Sequence, residues 1–283
     1  MNLSPLARVM IEPLVRNALR EDLGRAGDLT TNAIVPAGFW ARSVLRAREE
    51  GVVAGLDLAK LAFELIDPNI ALQIEIGDGA IAGPGSVIAA IKGPARGILT
   101  GERTALNFLG HLSGIASATA SLVAAVEGTR ARIVCTRKTT PGLRAIEKYA
   151  VRAGGGANHR FGLDDAILVK DNHIVIAGSV TQALRRARAA AGHLVKIEVE
   201  IDNLDQLEEA LAEGVDAVLL DNMGLEALAK AFAMVRGRAI TEASGRITPA
   251  SAPAIAATGV DLISVGWLTH SAPQLDIGLD FES

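Results

Sequence analysis

Apolar and polar positions along the first hundred residues switch between helical and strand-like spacing. Between residues 6 and 23 the apolar positions recur about every third or fourth residue, which predicts an amphipathic helix. Residues 41–50 alternate, and a helical pattern covers residues 56–66. Two further strand-like runs, 70–76 and 86–92, are separated by a glycine-rich segment. Strands with accompanying helices predict an α+β layer for this part of the chain.

A long run rich in alanine and leucine begins at Thr100 and reaches about residue 126. Because it is apolar around much of its circumference, we expect a helix buried between layers or at an interface. Arg103 would lie in the first turn of this helix, where a cation opposes the helix dipole and is favoured only beside an anion. We expect no apolar run long enough to span a bilayer.

From residue 130 onward the pattern becomes a repeat of strand and helix. Helical patterns cover residues 179–191, 204–212, 225–235 and 250–257. Apolar strand candidates end near Thr136, Lys170, Glu200, Asp221, Ser244 and Gly266. Successive βα units share one crossover hand, so the repeat predicts a parallel sheet that is closed or nearly closed into a barrel.

Each of these six strands ends at a charged residue, a polar residue or a glycine. In barrels of this kind the carboxyl ends of the strands form the active site. One such residue would be a solvated charge or a helix cap. Six strands placing such residues on one rim predict a functional site. The residues concerned are Arg137, Lys138, Lys170, Asp171, Glu200, Asp221, Ser244, Gly245 and Gly266.

Composition narrows the classes of protein. The net charge of −4 and the 3% aromatic content argue against a nucleic-acid binder that stacks bases, although local cation clusters still suit a small anion. Cys135 is the only cysteine, which excludes an intrachain disulfide and a cysteine-based zinc site. Arg8, Glu12 and Arg16 interrupt the apolar positions near the N-terminus, so we expect no leader peptide and a cytoplasmic protein without a membrane partner.

The predicted rim carries two kinds of group. Arg137, Lys138 and Lys170, with the glycine-rich segment 154–160, offer cations and backbone amides that suit a polyanionic ligand. Glu200 and Asp221 would bind a divalent cation, hold hydroxyl groups or stabilise positive charge in a transition state. Glycines that directly follow strands could hold a phosphate with backbone amides.

Several motifs together resemble the quinolinate phosphoribosyltransferase family. They are Glu102-Arg103-Thr104-Ala105-Leu106-Asn107, Thr136-Arg137-Lys138-Thr139-Thr140-Pro141-Gly142-Leu143-Arg144, Gly154-Gly155-Gly156-Ala157-Asn158-His159-Arg160, Leu168-Val169-Lys170-Asp171-Asn172-His173, Glu198-Val199-Glu200, Leu219-Leu220-Asp221-Asn222-Met223 and Glu242-Ala243-Ser244-Gly245. The resemblance implies an N-terminal α/β sandwich domain, residues 1–110 joined by a tail at 270–283. It also implies an open, six-stranded parallel α/β barrel at 111–269, and a homodimer.

The resemblance also implies a reaction. Phosphoribosyl would pass from phosphoribosyl pyrophosphate to quinolinate with loss of carbon dioxide, giving nicotinate mononucleotide for NAD biosynthesis, with Mg²⁺ as cofactor. Lys138, Lys170, Glu200 and Asp221 would be catalytic, and Glu200 and Asp221 would also hold ribose hydroxyls and the metal. Quinolinate carboxylates would contact Arg103 of the neighbouring subunit, Arg137, Lys138, Thr139, His159 and Arg160. The 5-phosphate would lie at Ser244, Gly245, Arg246, Val265, Gly266 and Trp267.

Two residues depart from the family pattern. Arg246 stands where a small or uncharged residue is frequent, and Trp267 where alanine is usual. We expect altered phosphate fit rather than lost activity, because backbone amides do the binding. Two alternatives stay open: a nicotinate or other pyridine phosphoribosyltransferase on the same fold, and a non-catalytic relative that binds a phosphorylated metabolite. His111, His173, His193 and His270 are interpreted as structural.

Overall fold

The computed structural model describes residues 3–282 of the chain. These separate into two compact units. The first unit comprises the described residues up to Ala120, Thr140–Gly155, and the chain from Thr269 onward. The second comprises Ser121–Thr139 and Gly156–Leu268. The domain boundaries expected from the sequence, 1–110 with 270–283 and 111–269, stay a prediction. Each unit is described by itself.

The helices in the described residues are mostly three to four turns long. They are α1 (Arg8–Leu23), α2 (Leu29–Ile34), α3 (Leu56–Ile66), α4 (Ala95–Ala125), α5 (Arg144–Ala153), α6 (Asp171–Ala177), α7 (Val180–Ala190), α8 (Leu204–Glu213), α9 (Leu225–Val235), α10 (Ala252–Ala256) and a 3₁₀ helix (Trp267–Thr269). The predicted helices at 56–66 and 225–235 have the observed bounds of α3 and α9. Those at 6–23, 179–191, 204–212 and 250–257 are confirmed within two residues at either end.

The strands are short and fall into three sheets. They are β1 (Trp40–Ala47), β2 (Gly51–Val52), β3 (Ala71–Ile74), β4 (Ile81–Ala82), β5 (Val87–Pro94), β6 (Arg132–Val134), β7 (Ile167–Val169), β8 (Ile197–Ile201), β9 (Ala217–Asp221), β10 (Ile240–Ser244), β11 (Leu262–Ser264) and β12 (Ile277–Phe281). The first unit holds an antiparallel sheet in the order β12-β1-β5-β3, with β2 paired to β4 apart from it. The alternating tail of the sequence is β12, which pairs with β1.

The start of α4 was predicted wrongly. The helix begins at Ala95, directly after β5, and not at Thr100, so Arg103 lies in its third turn. Gly97 lies in the part of the helix before Thr100, and Gly101 lies within the predicted run. Each marks a close approach: a Cβ on Gly97 would lie 2.8 Å from the Ile70 side chain, and one on Gly101 would lie 3.0 Å from the Phe63 ring. Close packing of neighbouring elements therefore explains both glycines.

The 31 residues of α4 also correct a second expectation. By length and composition this helix is apolar enough to cross a membrane. Half of its most apolar window is buried, and Leu109, Leu112 and Ile115 are almost entirely so. Such burial is typical of a core helix in a soluble protein, as the all-round apolar pattern predicted.

The sequence patterns did not predict three of the helices. In α5 the apolar residues Ile146, Tyr149 and Ala150 are buried at helical spacing, but Glu147 and Lys148, which are also inaccessible to solvent, interrupt this pattern in a helix of only ten residues. No residue of α6 is buried, which removes the pattern altogether. The short α2 has Asp28 as its N-cap. Asp28 Oδ1 accepts a hydrogen bond from the backbone N–H of Thr31 at 2.9 Å.

The second unit is built on six parallel strands in the order β6-β11-β10-β9-β8-β7. Strands β6 and β7 are its two edges, so the predicted open, six-stranded parallel α/β barrel is confirmed together with the antiparallel N-terminal sheet. Buried aliphatic residues such as Ile133, Val199, Val218 and Ile263 fill its core. Because all six strands run the same way, their carboxyl ends lie at one edge of the sheet.

Candidate active site

The loop before β7 pairs with the edge strand β6. The backbone N–H of Cys135 donates to Ala157 O at 3.2 Å, and the N–H of Ala157 donates to Ile133 O at 2.9 Å. Cys135 Sγ also lies 3.3 Å from Asn158 Oδ1. These bonds align residues 157–160 with the residues that follow β6. The cations after β6 and those of the glycine-rich segment thus belong to one cluster.

Two arginines meet in this cluster. Arg137 Nε and Arg160 Nε are both buried, and neither has a hydrogen-bond partner among the described residues. Burial lowers the pKa of Arg160, and the nearby positive charge of Arg137 lowers it further. Arg160 is fixed by one bond from Nη1 to Ala166 O at 2.9 Å. Buried guanidinium nitrogens are normally hydrogen-bonded, so these two Nε atoms favour an anionic ligand with carboxylate-like geometry.

A tight turn presents the residues after Arg137. The backbone N–H of Lys138 donates to Thr136 Oγ1 at 3.0 Å, and that of Thr139 donates to Arg137 O at 3.0 Å. Lys138 is exposed and Thr139 is half-buried. The predicted cation pair therefore lies at the carboxyl end of β6, with Arg137 turned inward and Lys138 accessible.

Lys170 and Glu200 form an ion pair at the ends of β7 and β8. Lys170 Nζ lies 3.4 Å from Glu200 Oε2, and about half of the lysine side chain is exposed. The backbone N–H of Lys170 donates to His173 Nδ1 at 2.9 Å, so the His173 ring stabilises the start of α6. Glu200 thus lies at the rim with its negative charge already partly compensated by Lys170.

Asp221 is the last residue of β9, and the next residue, Asn222, packs against Gly245. Asp221 Oδ2 accepts a hydrogen bond from Asn222 Nδ2 at 2.6 Å, and the backbone N–H of Asn222 donates to Ser244 O at 2.9 Å. Gly245 has φ +111°, and a Cβ there would lie 2.2 Å from Asn222 Oδ1. Only glycine fits this position, so the loop after β10 follows the loop after β9 closely.

Trp267 joins two of the predicted phosphate-binding loops. Its indole N–H donates to Ile247 O at 2.8 Å, so the side chain links the loop after β11 to the loop after β10. Arg246 is exposed, with φ +48°. Val265 differs from the other members of this predicted set: its side chain is buried, and its backbone N–H donates to Val134 O at 2.9 Å. The structure leaves it only a carbonyl for a ligand.

His159 contacts protein groups through both ring nitrogens. Nε2 lies 2.8 Å from Glu198 Oε2, and Nδ1 accepts a hydrogen bond from the backbone N–H of Arg160 at 2.8 Å. Nε2 also lies 3.9 Å from Glu242 Oε1. Sequence reasoning assigned no role to Glu198 or Glu242. Strand alternation gave a usable signal, because Glu198 lies on the same face of β8 as Glu200.

Arg103 belongs to the first unit and is exposed. It lines a cavity of about 510 Å³ within that unit, together with Asp22, Asn107 and His111. His111 Nε2 lies 3.1 Å from the buried Glu147 Oε1, whose other oxygen accepts from the backbone N–H of Thr140 at 3.0 Å. The predicted role of Arg103 in a neighbouring subunit stays a prediction.

Comparison with known proteins identifies the family. The model of the quinolinate phosphoribosyl transferase N-terminal domain matches residues 28–113, and that of the C-terminal domain matches residues 115–280. The chain belongs to the quinolinate phosphoribosyltransferase family. The resemblance seen in the sequence motifs is thereby confirmed.

Relatives of this quinolinate phosphoribosyltransferase family member match along nearly their whole length. The probable nicotinate-nucleotide pyrophosphorylase [carboxylating] of Bacillus subtilis is 45% identical, with 96% of this chain and 93% of the relative covered. The corresponding Mycobacterium leprae protein is 47% identical, with 94% and 95% covered. The crystal structure of NadC from Streptococcus pyogenes superimposes with a TM-score of 0.94 at 44% identity, over 99% of this chain and all of that one.

Proposed function

We propose that the protein transfers the phosphoribosyl group of phosphoribosyl pyrophosphate to quinolinate, with decarboxylation to nicotinate mononucleotide, in NAD biosynthesis. The family and its named relatives support this activity. The structural observation that carries it is the half-buried pair Arg137 and Arg160, whose buried Nε atoms have no hydrogen-bond partner among the described residues. Quinolinate has two adjacent carboxylates, and two planar guanidinium groups held together match such a dianion.

The pyridine end of the site is assigned to the cations around β6. Arg137 and Arg160 bind the carboxylates of quinolinate, and Thr139 and the exposed Lys138 lie next along the chain. His159 contributes here through Arg160, because its Nδ1 accepts from the Arg160 backbone. Arg103 of the neighbouring subunit completes this end in a homodimer, which fits its exposed position.

The phosphoribosyl end is assigned to the other strand ends. Lys138 and Lys170 face the departing pyrophosphate, and Glu200 and Asp221 hold the ribose hydroxyls. Backbone amides after β10 and β11, near Gly245 and Gly266, hold the 5-phosphate. The close packing of Gly245 on Asn222 supports this, since it keeps the loop backbone open to a ligand.

Glu200 and Asp221 fit magnesium as well. Both are carboxylates, the ligands that Mg²⁺ prefers, and two of them with substrate phosphates are a usual set. The described residues form a cluster of three metal-ligating groups elsewhere, at His159, Glu198 and Glu242, and not around this pair. Magnesium would therefore bind with the substrate, where it neutralises charge on the pyrophosphate.

The chemistry follows from these placements. The anomeric carbon gains positive charge as pyrophosphate leaves, and Glu200 and Asp221 stabilise that charge. Lys138 and Lys170 stabilise the negative charge of the leaving group. Arg137 and Arg160 hold the pyridine nitrogen against the anomeric carbon, so the step needs no covalent enzyme intermediate. Once the nitrogen is ribosylated, the bond from the neighbouring ring carbon to its carboxylate breaks, the electron pair stays on that carbon beside the positively charged nitrogen, and a proton from solvent completes nicotinate mononucleotide.

A two-substrate assay tests the proposal. Quinolinate and phosphoribosyl pyrophosphate with magnesium should yield equal amounts of pyrophosphate and carbon dioxide, while either substrate alone yields neither. Turnover of nicotinate without carbon dioxide would instead identify the nicotinate-type alternative. Binding of either substrate without pyrophosphate release would identify a non-catalytic relative. Cytoplasmic location is part of the proposal and is checked by fractionating cells that express the protein.

A further inference from the structure

Three titratable side chains meet inside the second unit, behind the arginine pair. His159 Nε2 lies 2.8 Å from Glu198 Oε2 and 3.9 Å from Glu242 Oε1. The side chains of His159 and Glu198 are each 13% exposed, and that of Glu242 is 2% exposed. None of the proposed catalytic steps uses Glu198 or Glu242, although both place a carboxyl group in a largely apolar interior. Such groups persist in a core only with compensation.

Hydrogen bonds fix the form of the His159 ring. Nδ1 accepts the backbone N–H of Arg160 at 2.8 Å, so this nitrogen carries no hydrogen. The ring hydrogen is then on Nε2, which donates to Glu198. A nitrogen that carries hydrogen cannot bind a metal ion through the same atom. Although the three residues have metal-ligand chemistry, the geometry therefore favours a hydrogen-bond chain over a metal centre.

Glu242 is the least satisfied member of this cluster. Its Oε1 is buried and has no hydrogen-bond partner among the described residues. The polar groups facing it are Glu198 from β8, His159 from the preceding loop and the Ser264 hydroxyl from β11, while β9 places Leu219 beside it. Burial, followed by the charge of Glu198, raises the pKa of Glu242 to about 7. Below neutral pH the side chain is therefore an uncharged acid.

We propose that Glu242 is a positioning residue for quinolinate binding: it closes the interior side of the Glu198–His159 pair and so keeps the His159 ring against the Arg160 backbone. This proposal rests on the proposed function through Arg160. The connection has three contacts, from Glu242 to the His159–Glu198 pair, from His159 to the Arg160 N–H, and from the Arg160 guanidinium to Ala166 O. Glu242 itself touches no substrate.

This arrangement predicts how quinolinate binding changes when Glu242 ionises. When Glu242 loses its proton, two negative charges face each other in the interior, and the cluster must rearrange or take up a proton at His159. A hydrogen on His159 Nδ1 would oppose the N–H of Arg160 and release the backbone there. Quinolinate binding should therefore weaken as Glu242 ionises, while binding of phosphoribosyl pyrophosphate stays the same.

The first experiment reads the histidine without any substrate. Nitrogen-15 spectra of the imidazole, with the signal assigned by its loss in His159→Asn, should show the neutral Nε2–H form at about pH 6 in the wild type and in Glu242→Gln. Glu242→Ala should shift or broaden that signal. The opposite tautomer, or a signal displaced by added Zn²⁺ alone, would overturn the proposal. This measurement holds even if the protein does not make nicotinate mononucleotide.

The second experiment separates binding from turnover. At about pH 6, Glu242→Gln should keep the KM for quinolinate within about twofold of wild type, because the amide is an uncharged isostere. Glu242→Ala should raise that KM about tenfold or more, with the KM for phosphoribosyl pyrophosphate unchanged. At about pH 8.5 the wild type should lose quinolinate affinity and Glu242→Gln should not. Equal losses for both substrates, or the same pH profile in wild type and Glu242→Gln, would overturn the role.

A matched control uses another buried, unpartnered polar atom. Like Glu242 Oε1, Ser43 Oγ in the first unit is buried and has no hydrogen-bond partner among the described residues. Ser43→Ala should leave both KM values and their pH profiles unchanged. An inactive wild type would end the proposed function, and the nitrogen-15 spectra would still decide the arrangement of the cluster.

Discussion

The two ends of the candidate site differ in how their charges are satisfied before any substrate arrives. At the proposed pyridine end, the buried Nε atoms of Arg137 and Arg160 have no hydrogen-bond partner in the part of the chain that the structure describes. At the phosphoribosyl end, Glu200 is paired with Lys170 and Asp221 accepts from Asn222. The first end is built for ground-state binding of an anion. The second is already compensated, so its groups gain most when positive charge develops in the transition state.

The largest expected effect tests the compensated end. Glu200→Gln combined with Asp221→Asn should lower kcat by about 10² to 10³, the usual result of removing preorganised charge stabilisation. The dissociation constant for quinolinate should change little, because neither residue is assigned to the pyridine. Steady-state kinetics and calorimetry measure the two quantities. Glu208→Gln, on the exposed face of α8, is the control. Wild-type turnover in the double variant would remove both carboxylates from the mechanism.

The second-largest expected effect is on the free energy of unfolding, and it concerns the buried carboxyl group of Glu242. Burial raises the pKa of Glu242 in the folded state from its ordinary 4.5 to about 7, so the folded state binds more protons than the unfolded state between these values. The stabilisation is complete below the unfolded pKa and is lost as the pH rises through the folded one. We expect a loss approaching roughly 3 kcal/mol across this window.

Urea unfolding at about pH 5 and about pH 8 measures this loss. Glu242→Gln should remove most of the difference, since the amide does not titrate. If the wild type and the variant lose stability equally between the two pH values, the raised pKa does not belong to Glu242.

Removing the Arg137 side chain tests the proposed pyridine end of the site. Arg137→Ala should weaken quinolinate binding by about 1.5 to 3 kcal/mol, the usual worth of a hydrogen bond to a charged group. Its effect on the affinity for phosphoribosyl pyrophosphate should be small. Arg132→Ala is the matched control, because Arg132 is exposed at the opposite end of β6. An unchanged quinolinate dissociation constant in Arg137→Ala would contradict the comparison.

The smallest expected effect concerns the link between two loops. Trp267→Phe removes the donor to Ile247 O, which should cost about 1 kcal/mol of unfolding free energy. The KM for phosphoribosyl pyrophosphate should rise a few-fold, while that for quinolinate stays the same. Trp40→Phe, on an exposed tryptophan of the first unit, is the control for the chemical change itself. Equal shifts in both variants would leave Trp267 without a special role.

Sequence patterns predicted the rim well because each apolar run has to end where its strand leaves the core. The observed strands end at Val134, Val169, Ile201, Asp221, Ser244 and Ser264, each within two residues of the expected position. This is a local signal, repeated in every βα unit. The polar residues that follow could therefore be placed on one edge without any knowledge of the register.

Features that depend on pairing between distant residues could not be predicted in this way. The helix α5 buries Glu147 beside its apolar residues, and the partners of Glu147 are His111 and the Thr140 backbone, both outside the helix. The contact of Glu242 with the His159–Glu198 pair depends on three segments meeting in space. Gly97, which lies before the predicted start of α4, resembles a helix breaker until the Ile70 side chain packed against it is known.

The pairing of β12 with β1 has a consequence for the order of folding. Leu279 lies opposite Leu45, so the first sheet joins residues more than two hundred positions apart. During synthesis the whole of the parallel sheet leaves the ribosome before this edge of the first sheet exists. Until β12 is synthesised, one edge of β1 stays exposed. The nascent chain is therefore most prone to unwanted strand pairing while the parallel sheet is forming.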